Sequence, residues 1–239
     1  MSNIYDLEKI LYERNPEFKL IMTECEDAVV EREIIKEVGC KNILELGTAQ
    51  GAWPAWIHNS INGLKFYLTE NFEQSDRYKR AEKYPKDLNH LAANLKRFTN
   101  NSMDFKIYDT DYDDIKHEIT DIIDYARIDC NTNNMRGIFK YLIQHGSDNL
   151  LIVLDDCTPN QAICRLLIIA EFIYSGELKV FWAGRERMAF CRRDFDSTQI
   201  IDNLWKHNKV INKYFKNAYP WDDFEIAGIP QNYLVTVGK

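Results

Sequence analysis

The stretch ILELGTAQG, residues 43–51, decides how this chain folds. Ile43, Leu44 and Leu46 make a short apolar run of the kind that forms a buried strand. Gly47 lets the backbone turn sharply at its end, and Gly51 falls where a helix begins. Glycine is scarce, with 10 in 239 residues, so two this close together are informative.

Outward from this window, strands and helices alternate. Asn42 to Gly47, Leu64 to Glu70, Phe105 to Tyr108, Ile122 to Asp129 and Leu150 to Asp156 read as strands. Helical stretches run from about Ala52 to Ile61, from Tyr78 to Phe98 with a break at Pro85, and from Asn134 to His145. Another opens at Thr158-Pro159-Asn160-Gln161, a capping box with proline at the first helical position. Such alternation predicts βαβ units, hence a parallel sheet covered on both faces. Leu178 to Trp182 and Met188 to Cys191, joined by a short charged segment, predict a hairpin and an antiparallel last strand.

The ends differ from this core. Ile4, Leu7, Ile10 and Leu11 recur at helical spacing as far as Asn15-Pro16, and Thr23 with Glu26 opens a second helix that Gly39 ends. Thr198 to Phe215 reads as a helix, followed by an aromatic loop with Tyr219, Pro220 and Trp221. Nothing marks a linker, so we expect a single domain over 1–239: N-terminal helices (1–40), a cofactor-binding core (41–193) and a C-terminal extension (194–239). The extension's aromatics either pack across the sheet edge or form a substrate lid or homodimer surface.

Lys and Arg total 30 against 37 Asp and Glu, a net charge of −7. That balance disfavours nucleic acid and anionic membranes as partners and leaves small-molecule work open. The N-terminus has no apolar signal region, and no stretch is apolar for long enough to span a membrane. The six cysteines, at 25, 40, 130, 157, 164 and 191, form no C-x-x-C pair and sit mostly in apolar runs. They read as free thiols in a reducing compartment, and the expected location is cytoplasmic.

In a parallel sheet, ligands sit beyond the carboxyl ends of the strands. Glu70 ends the second strand, where an acid can accept both hydroxyls of a ribose. A dinucleotide wants three glycines to seat its pyrophosphate, yet position 49 is alanine. A nucleoside cofactor without phosphate, S-adenosylmethionine, fits better, and its cationic sulfonium suits a site with Glu45 nearby. The bland alternative is a plain strand-turn-helix with no ligand.

With these residues in place, ILELGTAQG resembles the first motif of the class I S-adenosylmethionine-dependent methyltransferases. The resemblance covers about residues 40–193 and implies a doubly wound, Rossmann-like, seven-stranded sheet. It also implies that Glu45, Gly47, Thr48, Ala49 and Gly51 contact the methionine half, that Glu70 holds the ribose and that Asp109 lies near the adenine. Trp53 either covers the cofactor or packs in the core.

Asp129 ends the fourth strand, and Asp155 and Asp156 end the fifth. Neighbouring strand ends would bring three acids together, and a divalent cation, Mg²⁺ or similar, would relieve their repulsion. Alternatively these acids cap the helices that follow. RIDCN followed by LLIVLDDC resembles the metal-dependent small-molecule O-methyltransferases, including the sugar enzymes of macrolide and aminocoumarin biosynthesis and the cephalosporin hydroxylase/rhamnosyl O-methyltransferase group. That resemblance makes Asp129, Asp155 and Asp156 the metal ligands. It also exposes a departure: Asn131 stands where the family has an acid, the general base. Asn cannot take a proton.

The expected function is therefore metal-assisted O-methylation of a small hydroxylated molecule, a sugar or diol, with Asp129 and Asn131 at the reacting centre. Three alternatives stay open. A non-catalytic cofactor- or partner-binding protein would explain Asn131. A nucleic-acid or protein methyltransferase lacks its N-P-P-Y type motif here, and a dinucleotide oxidoreductase lacks the middle glycine.

Overall fold

The computed structural model describes residues 25–72, 85–109, 115, 118–130, 134–155, 159–183 and 187–204. The expected N-terminal helix over Ile4 to Leu11, the bulk of the aromatic extension, Asn131 and Asp156 lie outside these residues.

Helix α1 is Cys25–Val38. It stops because Gly39 takes a φ of +76°, which glycine adopts without a Cβ penalty. The Cys40 N–H then donates to the Ile35 carbonyl at 3.1 Å and the Gly39 N–H to Lys36 at 3.2 Å. These two bonds satisfy carbonyls that the helix end would leave open.

Strands β1 (Asn42–Leu46), β2 (Lys65–Glu70), β3 (Asp104–Asp109), β4 (Ile123–Ile128), β5 (Gly146–Leu154), β6 (Leu178–Ala183) and β7 (Met188–Arg192) form one sheet in the order β3-β2-β1-β4-β5-β7-β6. Only β7 among them runs against the rest. It lies between β5 and β6 rather than at the edge, as its pairings Val153↔Ala189 and Val180↔Phe190 require. The connecting helices are α2 (Ala52–Ser60), α3 (Leu88–Phe98), α4 (Met135–His145) and α5 (Pro159–Tyr174), and α6 is Thr198–Asp202. Among the described residues, no helix is long and apolar enough to cross a membrane.

Strand alternation divides the core. Ile43, Phe66, Tyr125 and Leu151 face one side, where Val29, Trp56 and Leu95 of α1, α2 and α3 cover them. Leu44, Ala126 and Ile152 face the other, against Phe139 and Phe172 of α4 and α5. Burying each such side chain contributes about 1.5–3 kcal/mol, so both layers hold the sheet.

One boundary departs from expectation. β5 begins at Gly146 rather than Leu150, because Arg192 ties that polar start to its neighbours. Its guanidinium donates to the carbonyls of Ile143, Gly146 and Ser147. After the expected break at Pro85, α3 starts at Leu88, where the Asp87 side chain accepts from the His90 N–H at 2.8 Å, and Tyr78 to Tyr84 lie outside the described residues.

Candidate functional site

The carboxyl ends of β1, β2, β4 and β5 lie side by side, and the turn from β1 into α2 caps them. Three residues of that turn have positive φ: Gly47 (+89°), Ala49 (+52°) and Gly51 (+81°). The N–H groups of Gly47 and Thr48 both donate to the Thr69 carbonyl at 3.1 Å, which closes the turn onto β2. The Glu70 carboxylate holds its far side. Oε2 accepts from the Ala49 N–H at 2.7 Å, and Oε1 accepts from the Asn71 N–H at 3.1 Å. Ala49, an L-residue in a left-handed conformation, is thus held by the acid that ends the next strand.

The two glycines do different things. A Cβ on Gly47 would sit 2.8 Å from the Asp129 carbonyl carbon, so the β1 and β4 chains meet too closely for any side chain. A Cβ on Gly51 would meet Leu95 Cδ2 at 2.6 Å. That second glycine makes room for α3 packing.

Register places the charges. Glu45 on β1 pairs with Arg127 on β4, and the two face the same side of the sheet. The Arg127 Nη1 lies 2.8 Å from Glu45 Oε1 and 3.0 Å from Asp129 Oδ2, while Nη2 donates to Asp155 Oδ2. Asp155 Oδ1 accepts from Arg187 Nε at 3.1 Å, and Arg187 Nη1 reaches Glu31 Oε1 of α1 at 3.0 Å. Four carboxylates therefore meet two guanidiniums. Three of the four acids are essentially buried, whereas the Asp129 side chain is 34% exposed.

Burial pushes the Glu45 carboxyl up to about 8, with Asp129 adding to the rise and Arg127 opposing it. Burial pulls the Arg127 guanidinium down, but Asp129, Asp155, Glu45 and Glu31 outweigh it and hold its proton more tightly than usual.

Trp53 packs in the core. Its ring stacks on Tyr125 at 6.0 Å, and the Arg127 guanidinium lies 5.2 Å from its centroid. Its buried Nε1 and Glu45 Oε2 find no hydrogen-bond partner among the described residues. Thr48 is buried inside the turn, and Asp109 ends β3 beside Glu70, exposed.

The expected acids thus converge, but not as an unpaired set. Both oxygens of Asp155 are held by arginines, and Asp129 faces Arg127. Asp156 lies outside the described residues. Among the described residues, no group of three or more His, Cys, Asp or Glu side chains is arranged to hold a metal ion. As placed, Asp129 and Asp155 do not fit a divalent cation, which would meet two guanidiniums. The physical reason for expecting one, mutual repulsion, is met by Arg127 and Arg187.

Sequence reasoning missed Arg127, Arg187 and Glu31. One signal was available for Arg127: a charged residue inside an otherwise apolar parallel strand needs a buried partner, and spacing of two from Asp129 puts both on one face.

No family model matches the sequence, and no curated protein matches it. Solved structures do match the fold. The O-methyltransferase NovP superposes with a TM-score of 0.58 at 11% identity, over 72% of this chain and 81% of that one. An O-methyltransferase from Bacillus cereus, solved with SAH, gives 0.51 at 16% identity over 78% and 90%. The Podospora anserina methyltransferase PaMTH1, also SAH-bound, gives 0.54 at 12% identity over 80% and 88%. At such identities the shared property is the fold, and this chain has the Rossmann-like fold of the class I methyltransferases.

Proposed function

We propose that this chain is an S-adenosylmethionine-dependent methyltransferase acting on a hydroxyl oxygen of a small molecule, a sugar or diol. The observation that carries this reading is the turn after β1. Its positive-φ residues, the Glu70 carboxylate bonded to the Ala49 N–H and a buried excess of acid meet at the carboxyl ends of the strands. That donor set fits a cationic nucleoside cofactor. Glu70 is placed to exchange a backbone partner for ribose hydroxyls, and Glu45 Oε2 and Trp53 Nε1 are buried polar atoms in want of partners. The SAH-bound neighbours and the acidic balance of the chain point the same way. S-adenosylmethionine would supply a methyl group on a cationic sulfur, which departs as a neutral thioether when oxygen attacks.

The protein's part is alignment and proton removal. In this reading Asp129, the least buried carboxylate of the cluster, meets the acceptor hydroxyl and takes its proton. The turn from Gly47 to Gly51 fixes the cofactor side, and Arg127 and Arg187 keep the neighbouring acids turned inward. Mg²⁺ assistance, which the family resemblance implies, gains no support from Asp129 and Asp155 as they are placed.

The test is calorimetry of the full chain with SAH, followed by methyl transfer from labelled S-adenosylmethionine to a panel of sugars and diols. Asp129→Asn should cut turnover by about 10²-fold or more and leave SAH affinity nearly unchanged. Absence of SAH binding overturns the reading. Binding without turnover on any acceptor favours a protein that keeps the fold and binds the cofactor without transferring its methyl group, as Asn131 would allow.

A further inference from the structure

We infer that Arg127 is a positioning residue, a single guanidinium that locks Glu45 on the cofactor side to Asp129 on the acceptor side. The inference rests on the methyltransferase reading above. One nitrogen, Nη1, serves both acids, at 2.8 Å and 3.0 Å, so neither can move without dragging the other. The second, Nη2, is fixed by Asp155, which Arg187 holds in turn and Glu31 anchors to α1. The result is an alternating chain of charges, Glu31–Arg187–Asp155–Arg127, that crosses from α1 through β5 to β4. It ends on the two acids of the site.

The guanidinium plane is fixed from its face as well. Trp53 lies against it at 5.2 Å, and Tyr125 stacks on Trp53. Arginine alone provides a planar fork that can serve three carboxylates and an indole face together; lysine offers a point charge on a flexible stem. Stability does not explain the arrangement, since a well-packed apolar residue commonly matches a buried ion pair. Placement does. The chain runs inward from the half-exposed Asp129 to fully buried acids, so its effect at the surface is to aim that one carboxylate.

The experiment compares wild type with Arg127→Lys, and with Arg127→Gln should the lysine variant fold poorly. Leu142→Ala, in the core on the opposite face of the sheet, serves as a control for lost stability. SAH affinity and steady-state kinetics are read well below each melting temperature. Arg127→Lys should weaken SAH by about 10- to 100-fold, the range for losing a charged buried hydrogen bond. Its kcat should fall as well as its KM rise. Leu142→Ala should melt lower yet bind SAH within about twofold of wild type, since its site stays paired. In a double-mutant cycle, adding Arg127→Lys to Asp129→Asn should cost no further kcat, because Arg127 acts on that step through Asp129.

An Arg127→Lys enzyme with lower melting temperature but wild-type SAH affinity and kcat would overturn the inference. So would additive losses in the cycle. If wild type binds SAH without turnover, the methyl-transfer reading fails while SAH affinity still tests the role of Arg127. If wild type does not bind SAH, both fall together.

Discussion

Gly47 and Asp129 touch through their backbones: a Cβ on Gly47 would overlap the Asp129 carbonyl, with the carbonyl carbon 2.8 Å away. The obstacle is main chain held by the sheet, with the Asp129 N–H donating to the Leu46 carbonyl at 2.8 Å, so it cannot step aside. Gly47 also has a φ of +89°, which an L-side chain resists. Gly47→Ala should therefore cost roughly 4 kcal/mol or more, at the extreme of single substitutions. Gly51→Ala meets Leu95, a buried side chain of α3 rather than main chain. Its cost should exceed the backbone strain alone, about 1–2 kcal/mol, yet stay below that of Gly47→Ala, because side chains can repack where main chain cannot. Urea denaturation of the two variants reads the difference. Equal losses would mean that Asp129 yields, and that the close approach of β1 and β4 is not fixed.

Glu70 and Ala49 make the second prediction. A carboxylate that accepts a backbone N–H at 2.7 Å holds a non-glycine residue at φ +52°. Glu70→Ala removes that support and should destabilise the chain by about 1.5–3 kcal/mol, the range for a charged hydrogen bond. On the proposed function it should also weaken SAH binding. Glu70→Gln retains an acceptor for the Ala49 N–H, so its stability should lie closer to wild type. Thermal melting with and without SAH separates the two effects. A Glu70→Ala enzyme that melts and binds as wild type does would remove Glu70 from the site.

The sheet was legible because its signals are local. Apolar runs ending at Gly47, Glu70 and Asp129 need no knowledge of what lies opposite, whereas the expected caps at Thr23 and Thr158 lie outside the described residues. The position of β7 was not, since a hairpin signal says that two strands pair and nothing about which of them meets β5. The start of β5 was hidden for a similar reason: Gly146 to Asn149 is polar, and its strand geometry depends on Arg192 more than forty residues later. The site divides along the same line. Its turn and acids are readable at strand ends, but whether acids that converge are bare or paired depends on residues of other strands. Arg187 and Glu31, which complete the pairing, are separated by more than 150 residues.

That pairing bears on metal dependence. A cation bound by Asp155 would have to displace Arg127 and Arg187 from a side chain that is nearly buried. Breaking those pairs takes a buried charged partner from each guanidinium, leaving Arg127 to Glu45 and Asp129 and Arg187 to Glu31. Methyl transfer should therefore persist after treatment with EDTA and change by less than about twofold when Mg²⁺ is returned, with the paired arginines in place. Turnover lost to EDTA and restored by Mg²⁺ would mean that Asp155 leaves its arginines in the working enzyme.

Glu45 gives the chain a pH dependence of its own. Its carboxyl rises from an ordinary 4.5 to about 8 in the fold, chiefly through burial. Between those values the folded chain keeps a proton that the unfolded chain has released. Stability then falls as pH rises, because the unfolded state binds fewer protons. The contribution is fully present below about 4.5 and is lost as pH passes through about 8. Glu45→Gln carries no such proton. It keeps an oxygen for Arg127, so the wild-type melting temperature should drop more steeply than that of the variant between pH 5 and 8. Each kcal/mol corresponds to about 2–4 °C at this chain length, enough to resolve by calorimetry or circular dichroism. Parallel curves would show that Glu45 is ionised in the fold throughout, and that Arg127 outweighs burial at this position.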